Sequence, residues 1–253
     1  MIMIDEVQRT TLSFQVAAMI GRYLDDEELA AGDPIPPTRE LAERFRVSVP
    51  VVREAIAELA GQGRLTRSQG RATVARVPSA ADLEGMFRSR MRREADAVLQ
   101  FHDYRRVLEV GAARLAADRA TAADVATMRD RMDAWRALPE DSPALLEADI
   151  AFHRAIAEAA RNEVLLMSMD AVAALLYEAR VVGWRGWLHA GRTIDQIADA
   201  HTVIIDAVEA GDPDRAERAM HDHLDQASFG LHTELDEPGT GQEEGRASAR
   251  SKP

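Results

Sequence analysis

Asp149 and His153 stand four residues apart in a stretch whose apolar spacing reads as a helix. That interval puts a carboxylate and an imidazole on one helical face, near enough to share a metal ion. His201 and His223 lie on two later helical stretches. Three helices converging in a bundle can bring all four side chains to one interior point. One Asp and three His would suit zinc, nickel, manganese or iron, with coordination positions left open. The same Asp/His interval also fits a plain hydrogen-bonded pair. Spacing alone does not choose His223 over His221, since the two point to different faces.

A second group of residues has the chemistry of nucleic-acid contact. From Arg39 to Arg76 there are 8 Arg and 4 Glu, a local charge of +4, although the whole chain carries −12. Residues 1–76 hold 10 Arg against 11 acidic residues, so the acidity lies mostly further on. Lys252 is the only lysine. Binding to a polyanion must therefore rest on a local patch rather than on bulk charge.

The elements that would position these residues are legible in outline. Leu12 to Leu24 has helical apolar spacing. The Gly32–Pro37 stretch is a loop. Thr38 is placed to cap a helix running to about Phe45, and Ser48 to cap a second helix that stops near Gly61. Leu65–Arg67 and Ala72–Val77 read as short strands around a Ser68–Arg71 turn. Helix, helix, two-residue turn, helix and hairpin is the order of a winged helix-turn-helix, expected over 8–77. In it Arg53 faces the major groove, Arg39 and Ser48 reach phosphates, and Gly70 with Arg71 forms the wing tip.

Beyond a linker the sequence from 82 to 232 is rich in Ala, Leu and Arg and shows no convincing strand. Seven helices fit it, at about 82–99, 102–119, 122–138, 143–160, 163–189, 193–210 and 213–231, with Gly183 and Gly186 as candidate interruptions of the fifth. Thr121 and Asp124 form a capping-box pattern. The fold class is thus mainly α. Residues 233–253 read as a disordered tail. Cysteine is absent, which excludes disulfides and thiolate ligands. No run of about 18 apolar residues suggests a membrane span, so a cytoplasmic protein is expected.

Residues Leu29 to Val77 resemble the GntR family of bacterial transcription regulators. The likeness is carried by Gly32-Asp33, Arg39 to Ala42, Val47-Ser48, Val52 to Ala55 and Gly70 to Thr73. It implies Arg39, Ser48, Arg53 and Gly70 as DNA contacts. One departure stands out. The family usually has Arg after the Val-Ser pair, where this chain has Val49 and then Pro50.

Residues 82–232 are similar to the all-helical FCD effector domain of the FadR-like branch, in the stretches YRRVLEVGAARLAADRAT, EADIAFHRAIAEAARNEVL and AHTVIIDAVEAGDPDRAERAMHDHL. In metal-containing members an Asp-x-x-x-His pair and two later His bind the ion. These fall on Asp149, His153, His201 and His223. The resemblance implies a divalent metal with zinc first and a small carboxylate effector; a homodimer on a palindromic operator is expected because a two-fold protein reads two half-sites. Arg105, four residues before Glu109, is the expected carboxylate partner, or else simply an i,i+4 salt bridge with Glu109. Together these readings describe a metabolite-responsive regulator, a repressor in the commonest case. A metal sensor and a metal-dependent hydrolase with a DNA-targeting head are the alternatives.

Overall fold

The computed structural model describes residues 11–67, 72–91, 97–140 and 142–236. The chain divides into two compact units, Met1–Asp82 and Leu83–Pro253.

The first unit begins with α1 (Leu12–Asp26), capped by Thr11 Oγ1, which accepts from the Phe14 N–H at 3.3 Å. Val16, Ile20 and Leu24 line its buried stripe. Then follow α2 (Thr38–Phe45), α3 (Val49–Gly61), β1 (Leu65–Thr66) and β2 (Val74–Ala75). The two strands pair antiparallel, and Pro34 bridges to Val74, tying the loop before α2 to the hairpin. Leu41, Val52, Ile56, Leu59 and Leu65 close the core with α1. Two capping expectations change. Thr38 is the first helical residue and Pro37 holds the cap position; Ser48 does sit at the cap of α3, but its hydroxyl makes no capping bond.

The turn between α2 and α3 contains no glycine. Arg46 takes the left-handed conformation instead, at φ 55°, which for a residue with a Cβ costs about 1–2 kcal/mol. The return bond from Val47 N–H to Ala42 O, at 3.0 Å, closes the α2 C-terminus in the manner of a Schellman motif.

The second unit is helical: α4 (Ala80–Met91, whose first turn belongs to the first unit), α5 (Ala97–Arg119), α6 (Ala122–Arg136), α7 (Ala144–Ala159), α8 (Glu163–Leu175), α9 (Tyr177–His189), α10 (Ile194–Glu209) and α11 (Pro213–Asp236). That is eight helices among the described residues rather than seven. The stretch 163–189, expected as one helix, is broken at Leu176, which is the C-cap of α8 and is wholly buried. Gly183 and Gly186 do not break it. They lie within α9, where it crosses α11 so tightly that a Cβ on Gly186 would stand 2.0 Å from Gly230 O. Thr233 to Asp236, expected to open the tail, continue α11. The capping box at Thr121 and Asp124 forms as expected. Trp135, Phe152, Met128, Ile156, Ile204 and Leu224 are among the core residues that surround the site.

Candidate metal and effector site

Helix α7 carries Asp149 and His153 one turn apart, α10 carries His201 and α11 carries His223. All four side chains are buried, His201 completely. Their ligand atoms lie within 4.8 Å of one another. His201 Nε2 and His153 Nε2 each stand 3.2 Å from His223 Nε2. Asp149 Oδ1 is 3.4 Å from His201 Nε2 and 3.6 Å from His153 Nε2. His221 takes no part. It is exposed and contacts Arg106 and Asp225 on the outer face of α11.

This arrangement fits a cation. A neutral imidazole has one donor and one acceptor, so His223 Nε2 cannot satisfy two other Nε2 atoms at once by hydrogen bonding. The Nδ1 atoms of His201 and His223 are buried without partners. A positive ion between the Nε2 atoms would accept every converging lone pair. Ligands placed about 2.0–2.1 Å from a common ion in tetrahedral array lie about 3.3–3.4 Å apart, close to the separations found here.

Around the four residues stand three more charged side chains, also buried. His153 Nδ1 lies 2.7 Å from Glu109 Oε2, close but off the line of a good hydrogen bond. Arg105 Nε donates to Glu109 Oε1 at 2.5 Å. Arg180 Nη1 donates to Asp149 Oδ2 at 2.5 Å, and its Nη2 reaches Glu109 Oε1 at 3.4 Å. Carboxylates behind a ligating imidazole orient the ring and raise its basicity.

The charges set the protonation states. Burial alone would raise Asp149, but His153, Arg180 and His201 hold it well below the carboxylate range. Glu109 likewise stays low, because Arg105, His153 and Arg180 outweigh its burial. Burial, with His153 and the nearby arginines, drives His201 down to about 3. Burial and the two neighbouring imidazoles push His223 well down also. Burial would lower His153 too, but Glu109 and Asp149 raise it above the ordinary value. Two imidazoles are thus neutral at pH 7, the form that ligates metal.

Beside the cluster is a cavity of about 30 Å³ walled by Arg105, Asp149, Arg180, Trp184, His223 and Gln226. Arg105 makes the i,i+4 pair with Glu109 and also lines this cavity. Sequence reasoning missed Arg180. Its partners are 31 and 71 residues away, and no local spacing points to it. Trp184 and Trp187 on α9 also line the cavity, while Arg185 between them turns out to Glu234.

In the first unit Arg39, Ser48 and Arg53 are all exposed, and neither arginine is ion-paired among the described residues. Arg53 lies in the second turn of α3. Val49, where the family usually has Arg, packs partly against the unit's own core, and Pro50 is exposed in the first turn. Gly70 and Arg71 lie outside the described residues, as do residues 237–253.

A helix-turn-helix unit followed by a helical unit with a buried polar site is the build of a ligand-responsive DNA-binding regulator. Comparison with known proteins agrees. Residues 12–74 match the family described as bacterial regulatory proteins, gntR family, and residues 100–226 match the FCD domain. The HTH-type transcriptional regulator LutR of Bacillus subtilis is 33% identical over 198 residues, spanning 78% of this chain and 90% of LutR. A regulatory protein of Escherichia coli K12 named for the L-lactate dehydrogenase operon is 32% identical over 228 residues, 88% of this chain and 86% of that one. The HTH-type transcriptional repressor NanR of Salmonella newport is 30% identical over 229 residues, 88% and 86% of the two chains. A solved GntR structure from Streptococcus agalactiae superposes with a TM-score of 0.63 at 22% identity, covering 84% of this chain and 97% of that one, and so shares the fold. The chain belongs to the gntR family of bacterial regulatory proteins, with the FadR-like FCD architecture. These relatives are transcriptional regulators, not enzymes, and the hydrolase alternative falls. Among the described residues no helix is long and apolar enough to cross a membrane.

Proposed function

We propose that this chain is a metabolite-responsive repressor that binds a palindromic operator as a homodimer and releases it when a small carboxylate enters the helical unit. The observation that carries the reading is the convergence of Asp149, His153, His201 and His223 with Arg105 and Arg180 at one buried cavity. The four residues would hold a divalent metal, zinc first, with nickel, manganese or iron as the other candidates. When bound, the ion supplies a Lewis-acid site for a carboxylate oxygen. Arg105 and Arg180 add two cations that desolvation makes strong partners for the same anion. Glu109 lies against the His153 ring and pairs with both arginines. The name of the Escherichia coli relative supports short hydroxy acids as effectors, and NanR's name supports repression.

In the first unit Arg53 would read base edges, Arg39 and Ser48 would hold phosphates, and Gly70 with Arg71 would form the wing contact. A C2 dimer would match the two half-sites of a palindrome. The effector acts if it prefers one of two arrangements of the helical unit, which then alters operator affinity.

The test is operator affinity of the full chain at fixed salt, with operator duplex selected from a random library, measured with chelator, with metal alone, and with metal plus a panel of short carboxylates. The reading expects at least one carboxylate to shift affinity tenfold or more in the metal-loaded protein. A shift on metal addition alone, with no further carboxylate effect, would favour the metal-sensor alternative. No shift under any condition would overturn both.

A further inference from the structure

Two small cavities lie against the same pair of arginines. The first, about 30 Å³, borders Asp149 and His223. The second, about 20 Å³, is walled by His102, Leu176, Ala179 and Leu231. Arg105, Arg180, Gly183 and Ala227 are walls of both. The guanidinium pair therefore stands between two adjoining spaces, each large enough for a group or two of water size.

Both spaces contain buried polar atoms without partners. Arg180 Nε, Gln226 Oε1 and His102 Nε2 are buried without partners, and of these residues Gln226 lines the first cavity, His102 the second and Arg180 both. His102 is only 7% exposed and Arg180 only 6%. Buried polar groups are normally hydrogen-bonded, and a ligand that displaces water from such atoms must replace the bonds it breaks. Three unpaired atoms on residues lining two cavities that share walls suit a ligand with more than one polar group.

We propose that the two cavities are subsites of one effector site, with the effector's carboxylate at Arg105 and Arg180 and a neutral hydroxyl or carbonyl oxygen of the same molecule hydrogen-bonded to His102 Nε2. This deepens the effector reading above and rests on it. His102 acts as a specificity residue: it selects short oxygenated monocarboxylates over their plain counterparts. Burial and the neighbouring Arg105 lower the His102 pKa to about 4, so its ring is uncharged at pH 7. A neutral imidazole offers a hydrogen bond to a hydroxyl or carbonyl group but no charge for a second carboxylate, so the His102 subsite favours a neutral oxygen.

The break at Leu176 lies at the second cavity. Leu176 walls the second cavity and caps α8, while α9, which carries Ala179, Arg180, Gly183 and Trp184, begins without a side-chain cap.

Calorimetric titration of the metal-loaded full chain with propanoate, 2-hydroxypropanoate, 3-hydroxypropanoate and butanedioate tests this. Wild type is expected to bind at least one hydroxypropanoate about tenfold or more tighter than propanoate, and tighter than butanedioate. His102→Leu should shrink the hydroxy-to-plain ratio to about twofold, and His102→Gln, which keeps a hydrogen-bonding head, should retain most of it. If His102→Leu does not fold, His102→Asn, with its shorter reach, takes its place and must show the same loss. A ratio that survives in the folded variant, or a wild type that does not prefer the hydroxy acids, overturns the His102 subsite while leaving a carboxylate effector in place. No binding of any of the four acids overturns both.

Discussion

Arg180 Nη1 donates to Asp149 Oδ2 at 2.5 Å, with both side chains about 5% exposed or less. The bond occupies one carboxylate oxygen and leaves Oδ1 turned toward His153 and His201. Arg180 thus orients Asp149 for the cluster and compensates its buried charge. Removing one partner of such a pair leaves the other charge without compensation, at a cost of about 3–5 kcal/mol. Arg180→Met is therefore expected to lower the melting temperature of metal-free protein strongly, and metal addition should recover part of the loss because the ion faces the same carboxylate. Unchanged melting of the metal-free variant would show that the pair contributes nothing.

Metal removal should destabilise the helical unit. A ligand that binds only the folded state at 1,000 times its Kd stabilises by about 4 kcal/mol, or about 8–16 °C for a unit of this size. Chelated protein should melt lower by an amount in this range, and zinc should restore it. His223→Ala should show little response to zinc. Identical melting curves for chelated and zinc-loaded wild type would remove the cluster from consideration as a metal site.

Asp82 gives the first unit a pH-dependent clasp. Its carboxylate accepts from Ser79 N–H at 2.8 Å and from Arg76 Nη1 at 2.8 Å, and these hold its pKa below 3.8. A depressed folded value means that the stabilisation is fully present above the unfolded value near 3.8 and is lost as pH falls through the folded one. Asp82→Asn should cost about 0.5–1 kcal/mol at pH 7, since the pair is partly exposed. The difference from wild type should vanish in denaturant titrations at a pH well under 3.8. A difference that persists there would point to packing rather than charge.

The crossing of α9 on α11 tolerates no side chain. A Cβ on Gly186 would lie 2.0 Å from Gly230 O, and one on Gly230 would lie 2.1 Å from Gly183 O. Gly186→Ala must push the helices apart, costing about 1–3 kcal/mol. It should also weaken carboxylate binding, because α9 carries Arg180 and Trp184 and α11 carries His223 and Gln226. Melting and calorimetry check the two effects separately.

For the DNA-binding unit, Arg53→Ala should lower operator affinity by about 1–3 kcal/mol and relax sequence preference at one base position if the contact is bidentate to guanine. Arg39→Ala should weaken binding evenly across sequences and reduce the salt slope by about one. Equal affinities of Arg53→Ala and wild type for the selected operator would move base reading elsewhere on α3.

What the sequence by itself determined is whatever depends on the chain's own helical period. Asp149 over His153, Arg105 over Glu109, and the Thr121–Asp124 capping box each follow from an interval of three or four residues. The helix-turn-helix order was legible for the same reason, since caps, loop residues and apolar stripes are local. What needed the tertiary structure was every relationship between segments far apart in the chain. That His223 rather than His221 meets His201, that Arg180 reaches Asp149 and Glu109, and that His102 opens on a cavity bounded by α9 all depend on how helices are rotated and spaced. Rotation and spacing are set by the summed packing of side chains from several helices, which includes the close glycine contact of α9 with α11. The break at Leu176 belongs with these: the leucines there are good helix formers, so no local signal marks it, and the folded chain buries Leu176 at the joint.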